Sequence, residues 1–218
     1  MPGTLLSTYF ELKSVGFDIV SSIRRFETRD IVKRVGVLSP SRVFINNYPL
    51  GNPPAIFNAS IVVQGDDAIV FARVVLGYYM YVSAIATVVV PLSDILEGSV
   101  TANHYAAQVA VYPTGRYDVW GAEDPRVYEV DGKLLMTYVG RSINYFNPHI
   151  RRERTLPVTA VRMRNYSVWD KRAVHVLPPG LREHVVSDKD AFIARLGGRL
   201  LLFHRPHMDD EKPLLAHQ

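Results

Sequence analysis

The sequence contains no cysteine and no long apolar run among its 218 residues. The lack of cysteine excludes a disulfide framework and any thiolate-ligated metal site. The most apolar window, Val82 to Leu92, is too short to span a bilayer and contains Ser83 and Thr87. The first residues carry no basic segment followed by an apolar one, so no signal peptide is predicted. We therefore expect a soluble, cytoplasmic protein that does not contact a membrane.

Several functional motifs are also lacking. The chain has no Gly-Lys-Ser/Thr phosphate loop, no Gly-x-Gly-x-x-Gly fingerprint and no Gly-x-Ser-x-Gly elbow. His204 and His207 are close in sequence, but the pattern indicates no further metal ligands near them. Neither a metal site nor a cofactor is therefore expected. The net charge is only +4, and the basic residues are dispersed except at Arg151 to Arg154. This distribution does not favour nucleic acid, although it suits a phosphate-handling site.

The sequence consists mainly of short apolar segments, typical of strands, separated by polar turns. Three hairpin signals are centred on Gly65, Gly132 and Gly197, at intervals of about 65 residues. A polar cluster precedes each hairpin, namely Phe57-Asn58, Glu123-Asp124 and Lys189-Asp190. A repeated hairpin with polar residues at the start of its first strand is typical of a β-propeller, whose inner strands line a central channel.

We therefore predict an all-β protein of the propeller type, with an all-β sandwich as the alternative fold. Residues 1–54 are predicted to be an extended lead-in segment, residues 55–207 the blades, and residues 208–218 a tail. Aromatic residues, 23 in all, suit both strand packing and the faces of sugar rings.

The segment Gly121-Ala-Glu-Asp-Pro-Arg126 is the sharpest local feature. Pro125 biases Asp124 towards an extended conformation as the chain enters a strand. Arg126 could hold one carboxylate by a bidentate pair and leave the other free to act. A purely structural turn clamp between aspartate and arginine is the alternative interpretation.

These motifs resemble those of glycoside hydrolase family 130, which comprises β-mannoside phosphorylases and related mannosidases built as five-bladed β-propellers. The resemblance runs in order from about Asn46 to Pro206. Its matching stretches are Phe57-Asn58, Val70–Val74, Gly121–Arg126, Asp131–Tyr138, Ser187–Asp190 and Leu202–Pro206.

The resemblance implies an intracellular glycosyltransferase that performs inverting phosphorolysis of β-mannosides and releases mannose 1-phosphate. Asp124 would supply the proton to the glycosidic oxygen through a hydroxyl of the mannosyl unit, while inorganic phosphate attacks the anomeric carbon as co-substrate. The implied phosphate-binding residues are Arg141, Lys189, His204 and Arg205. The implied substrate-binding residues are Asn58, Arg73, Glu123, Arg126, Tyr138 and Asp190.

Two departures from the family pattern keep other functions open. The chain has Asn58-Ala59-Ser60 where the family usually has Asn-Pro-Ala. Its strand pattern stops at His207, so three to four blades are expected in this chain and the C-terminal blades are expected to be lacking. A non-catalytic sugar-binding or interaction propeller, or a β-mannosidase, is the alternative. A homo-oligomer could cover sheet edges left open by missing blades.

Overall fold

The computed structural model describes residues 22–25, 27–77 and 81–209, and these residues form an all-β protein of the propeller type. The chain divides into two compact units, residues 1–34 with 214–218 and residues 35–213. In the first unit the described residues form the exposed ion pairs Arg29–Glu27 and Arg34–Asp30. All of the strands described below belong to the second unit. Residues 1–21 and 26 of the predicted lead-in, and the tail from residue 210, lie outside the described residues.

The second unit contains two consecutive β-sheets and a further hairpin. The first sheet has the strand order β1-β5-β4-β3-β2, the second has β6-β7-β8-β9, and β10 pairs with β11. Apart from the parallel contact of β1 with β5, every pairing is antiparallel. The strands are β1 Val43–Ile45, β2 Ile56–Gln64, β3 Asp67–Val75, β4 Ser83–Pro91, β5 Tyr105–Val111, β6 Ala122–Val130, β7 Lys133–Arg141, β8 Thr155–Arg162, β9 Trp169–Val174, β10 Ser187–Leu196 and β11 Arg199–His207.

Short helices occupy the connections between strands. Helix α1, Leu92–Glu97, follows β4, and helix α2, Pro179–Arg182, precedes β10. Single 3-10 turns cover Pro40–Arg42 and Ser99–Thr101. None of the helices in the described part of the chain is long and apolar enough to cross a membrane.

All three predicted hairpins are present. The turns connect β2 to β3, β6 to β7 and β10 to β11, and their residues Gly65, Asp131, Gly132, Gly197 and Gly198 have positive φ. Primed two-residue turns require this conformation, which explains why glycine and aspartate mark them. Strand β4 begins at Ser83, inside the most apolar window of the sequence, and residues 78–80 lie outside the described part of the chain.

Two apolar cores hold the sheets in place. One lies on one face of the first sheet, where residues of the lead-in such as Leu38 and Tyr48, and Ile95 of α1, cover it. The other lies between the first and second sheets, where Phe71 of β3 makes edge contacts with Tyr166 and Trp169, at 6.1 and 5.5 Å between ring centroids. The hairpin β10–β11 packs on the other side of the second sheet.

The same backbone irregularity recurs near the start of each inner strand. The pairing register shifts between Phe57 and Ser60 in β2, between Glu123 and Arg126 in β6, and between Lys189 and Phe192 in β10. Each bulge contains one non-glycine residue at positive φ, and these residues are Asn58, Asp124 and Asp190 with φ of 49°, 50° and 56°. They lie 66 residues apart in sequence. The repeat therefore places a short polar side chain at an equivalent point of each β-sheet unit.

Candidate active site at the seam between the first two sheets

The bulge of β6 presents Glu123 and Asp124 towards the first sheet. The chain reaches β6 through Gly121, whose φ of 148° and missing Cβ let Ser83 Oγ and the Arg141 side chain approach closely. Asp124 takes a left-handed conformation and not the extended one expected before Pro125, because the strand forms a bulge here, and aspartate tolerates this conformation better than most residues do. The two carboxylates consequently leave the strand in a fixed geometry set by the backbone.

Arg73 of β3 connects the two carboxylates. Its side chain is only 12% exposed, and one guanidinium nitrogen donates to Asp124 Oδ1 at 3.2 Å while the other donates to Glu123 Oε1. The guanidinium also lies over the ring of Phe57, with its carbon 4.8 Å from the ring centroid. An arginine inside an apolar strand therefore finds its charge partners on the neighbouring sheet, as burial of a cation requires.

Glu123 is the more deeply buried of the two acids. Its Oε1 also pairs with Arg141 Nε at 2.6 Å and accepts a hydrogen bond from Ser83 Oγ at 3.1 Å. Burial raises the pKa of the Glu123 carboxyl above its ordinary value, while Arg73 and Arg141 each favour the ionised form. Its contacts make Glu123 the electrostatic anchor of two arginines.

Asp124 is more accessible, with a side chain that is 20% exposed. Asn58 Nδ2 donates to Asp124 Oδ1 at 2.9 Å, and Arg73 donates to the same oxygen. Both contacts that Asp124 makes within the described residues involve Oδ1, so Oδ2 is available to a ligand. The two bulge residues predicted to converge, Asn58 and Asp124, are thus in direct contact.

Arg141 lies at the end of β7 and is only 8% exposed. In addition to its pair with Glu123, its guanidinium carbon lies 4.5 Å from the ring centroid of Tyr145, and a guanidinium nitrogen donates to the carbonyl of Tyr81 at 3.4 Å. The structure therefore brings Arg141 into the carboxylate cluster. A role in phosphate binding stays a prediction.

The remaining predicted cations lie on hairpin β10–β11. Lys189 and Arg205 are cross-strand partners and share one face, and Arg205 pairs with Asp190. His204 lies on the opposite face, towards the second sheet, and its Nδ1 is 2.7 Å from Oδ2 of the buried Asp188. The predicted phosphate-binding set is therefore divided between the two faces of this hairpin.

Arg126 does not clamp either acid, contrary to the expectation drawn from the sequence. Its guanidinium donates to the carbonyl of Pro125 at 3.1 Å, and the carboxylates are held by Arg73 and Arg141 instead. The bulge explains the difference, because the irregular backbone at Asp124 and Pro125 separates Arg126 from the direction in which the acids point.

Tyr138 also lies away from the carboxylate cluster. It is 1% exposed, and its hydroxyl donates to Asp118 Oδ2 at 2.8 Å, an oxygen that Lys171 Nζ contacts at 2.5 Å. Burial raises the pKa of Tyr138 well above its ordinary value. The structure thus gives this tyrosine a place in the core, and its predicted contact with substrate gains no support.

Three residues near these cations carried no separate signal in the sequence. Ser83 contacts Glu123, Asp188 contacts His204, and the Nε atom of Arg154 is buried without a hydrogen-bond partner among the described residues. Arg154 precedes Thr155, which is the cross-strand partner of Arg141. In sequence it belongs to a basic loop segment, and only the pairing of β7 with β8 brings it to this edge.

The fold and the cluster together define a class of protein, a propeller-type β-protein with a paired-carboxylate and arginine site between adjacent sheets. The family model of glycoside hydrolase family 130, described as β-1,4-mannooligosaccharide phosphorylase, matches residues 22–217. The chain belongs to this family of carbohydrate-active proteins. No curated protein matches the chain.

Solved structures of similar fold are glycoside hydrolases. A thermostable family-43 glycoside hydrolase has a TM-score of 0.51 at 16% identity, covering 72% of this chain and 51% of its own. A glycoside hydrolase from Parabacteroides distasonis has a TM-score of 0.50 at 14% identity, covering 73% and 50%. A structure from a study of family 130 hydrolases that target β-1,2 mannosidic linkages in Candida mannan has a TM-score of 0.43 at 16% identity, covering 73% and 48%. The chain therefore spans about half the length of these proteins.

Proposed function

We propose that this chain is an inverting mannoside phosphorylase. Asp124 is the proposed proton donor to the glycosidic oxygen, through a hydroxyl of the mannosyl unit, and inorganic phosphate is the proposed nucleophile at the anomeric carbon. The product of this reaction is mannose 1-phosphate. Family membership supports the substrate class, and the contacts of Asp124 support its role.

The single observation that carries the proposal is the asymmetry between the two acids. Glu123 is buried and is engaged by two arginines, so it is suited to organising charge. Asp124 is anchored at Oδ1 and leaves Oδ2 accessible, which a general acid requires. An inverting mechanism also needs space for the nucleophile opposite the acid, and phosphate brings its own negative charge, so no protein base is required.

The nucleophile distinguishes the proposal from a hydrolase. Phosphate needs cations, and hairpin β10–β11 supplies Lys189 and Arg205 on one face and His204 on the other, while Arg154 directly precedes β8. A hydrolase would instead need a carboxylate to activate water. The presence of these cations supports phosphorolysis over a β-mannosidase.

The test is to incubate the full chain with β-1,4-manno-oligosaccharides in the presence and absence of inorganic phosphate and to quantify mannose 1-phosphate. We expect phosphate-dependent formation that falls about 10²- to 10⁴-fold in Asp124→Asn, the usual contribution of a general acid. Asp131→Asn is the matched control, because Asp131 lies in a hairpin turn and pairs with Arg195 at the surface. Free mannose without phosphate would indicate a mannosidase, and binding without turnover would indicate a sugar-binding module.

A further inference from the structure

Asp188 is a buried acid that has no role in the proposed phosphorolysis. It lies on β10, is 2% exposed, and its Oδ2 is 2.7 Å from Nδ1 of His204. Its other oxygen, Oδ1, is buried and has no hydrogen-bond partner among the described residues. A buried acid with an unsatisfied oxygen is weak evidence for a stabilising role, because a buried polar atom without a hydrogen bond costs free energy.

The backbone around Asp188 is fixed by three strands. Asp188 is the cross-strand partner of Pro206 on β11, and Thr155 Oγ1 at the start of β8 donates to the Asp188 carbonyl at 3.2 Å. The amide of Val186 donates to the carbonyl of His207. These contacts hold the carboxylate in place independently of any loop, so the ring of His204 has a rigid partner.

The chemistry of the pair determines which ring nitrogen faces outwards. An ionised carboxylate can only accept hydrogen bonds, so the proton of a neutral His204 ring must reside on Nδ1. Nε2 is then the nitrogen left for a ligand, and the side chain is 23% exposed. When the ring is protonated, Nε2 becomes a donor that can bind a phosphate oxygen, while Nδ1 keeps its contact with Asp188.

A second histidine, His175, directly follows β9 and has a hydrogen-bond partner of its own. His175 Nε2 forms a hydrogen bond with Thr159 Oγ1 at 2.8 Å. Burial lowers the pKa of His175, and the positive charge of His204 is the next cause. His175 therefore remains neutral more readily, whereas His204 has a carboxylate in contact. Of these two histidines, His204 is the one that a buried carboxylate orients.

We propose that Asp188 is a positioning residue that holds His204 by Nδ1, so that Nε2 is directed to a phosphate group. The identity of the ligand rests on the proposed phosphorolysis, whereas the state of the ring does not. Asp188 acts only through His204, and its contribution should vanish when His204 is replaced.

The first experiment is a double-mutant cycle on the full chain, with inorganic phosphate as the probe and the Kd measured by isothermal titration calorimetry. Asp188→Asn removes the charge at constant volume, and His204→Asn keeps an amide near the position of Nδ1 but lacks Nε2. We expect each single variant to weaken phosphate binding about 10-fold, the scale of one hydrogen bond to a charged group. The double variant should bind no more weakly than His204→Asn.

The control for this cycle is Asp170→Asn, because Asp170 is a half-exposed acid paired with Arg172 on β9. It should leave the Kd for phosphate unchanged. Additive losses in the double variant, or wild-type affinity in Asp188→Asn, would overturn the inference. A wild-type chain that binds no phosphate would contradict the proposed function instead.

The second experiment measures which ring nitrogen of His204 is protonated, and it requires neither a ligand nor turnover. The ¹⁵N chemical shifts of His204, assigned by comparison with His204→Asn, report which nitrogen carries the proton. We expect a protonated Nδ1 in the wild-type chain and a changed distribution in Asp188→Asn. An unprotonated Nδ1 in the wild type would refute the inference, even where Asp188→Asn failed to fold. If the wild-type chain binds no phosphate, the ¹⁵N measurement still tests the position of the proton on His204.

Discussion

Arg73 is the residue on which the candidate site depends most. It lies on β3, in the first sheet, and both of its charge partners, Glu123 and Asp124, lie on β6 in the second. The side chains of Arg73 and Glu123 are 12% and 9% exposed, so water screens their attraction poorly. Removal of the arginine would leave a buried carboxylate with Arg141 as its remaining cationic partner. The electrostatic cost of that change should exceed the cost of losing a surface pair.

We expect Arg73→Met to lower the free energy of unfolding by about 3 kcal/mol, because one partner of a buried ion pair is lost. The matched control is Arg172→Met, which removes an exposed pair with Asp170 and should cost less than about 1 kcal/mol. Urea unfolding of the full chain measures both values. Equal effects of the two substitutions would show that the Arg73 contacts contribute little to stability.

Within the site, the sequence indicated the right acids but not all of their partners. The motif drew attention to Glu123 and Asp124, and it suggested Arg126 because that residue is adjacent in sequence. The actual partners come from strands more than 15 residues distant in either direction, since Arg73 lies 50 residues before Glu123. Sequence proximity is a poor guide to ion pairs at a bulge, where the side chains leave the strand in irregular directions.

The repeated bulge is the element that gives the site its geometry. In each inner strand a residue at positive φ interrupts the pairing, and the residue type is Asn or Asp in all three cases. These short polar side chains tolerate the left-handed conformation better than other residues with a Cβ do. The bulge therefore selects for the same side chains that bind hydroxyl groups and donate protons.

Asn58 allows the conformational requirement to be separated from the contact with Asp124. We expect Asn58→Ala to be less stable than Asn58→Gly by about 1 kcal/mol, because alanine at a φ of 49° is strained and glycine is not. Both variants lose the hydrogen bond to Asp124, so their difference reports the backbone. Urea unfolding provides the measurement.

The control is the same pair of substitutions at Asn165, an exposed turn residue that is not among those with positive φ. Alanine should there be at least as stable as glycine. The same order of stability at both positions would contradict the role assigned to the bulge.

Hairpins were the elements that the sequence specified best. The Asp-Gly and Gly-Gly pairs and the alternating apolar residues led directly to β6–β7 and β10–β11. The short strand β1 was not predicted, because its three residues lie in an irregular segment and gain their order from pairing with β5. Local turn chemistry is visible in sequence, whereas a strand that depends on a distant partner is not.

At the scale of the whole second unit, the packing of one sheet on the next determines where the site forms. Phe71 is fully buried between the first and second sheets and contacts Tyr166 and Trp169. Phe203 occupies the equivalent place on β11, two residues before Arg205, and stacks on Phe192 with ring centroids 4.9 Å apart. Phe192 is 39% exposed, so this second pair is only partly covered in the described residues.

This difference predicts unequal costs for the same substitution. Phe71→Ala should destabilise the chain by about 3 to 5 kcal/mol, the usual range for a large side chain removed from a core. Phe203→Ala should cost less than about 2 kcal/mol, because less apolar area returns to water. Chemical unfolding of both variants tests the prediction. A larger loss at Phe203 would mean that its face is covered more fully than the described residues account for.

The sequence by itself determined the all-β class, the three hairpins, the repeat and the acidic motif around Asp124, because turns, alternation and proline act over a few neighbouring residues. The tertiary structure decided which cations hold the acids, placed Tyr138 in the core, and joined His204 to Asp188. These outcomes depend on which strand edges and sheet faces meet, and neighbouring residues in the sequence carry almost no information about that. The motif and the family resemblance indicated Asp124, Arg73 and Asn58, but their direct contacts with one another depend on the packing of the first two sheets.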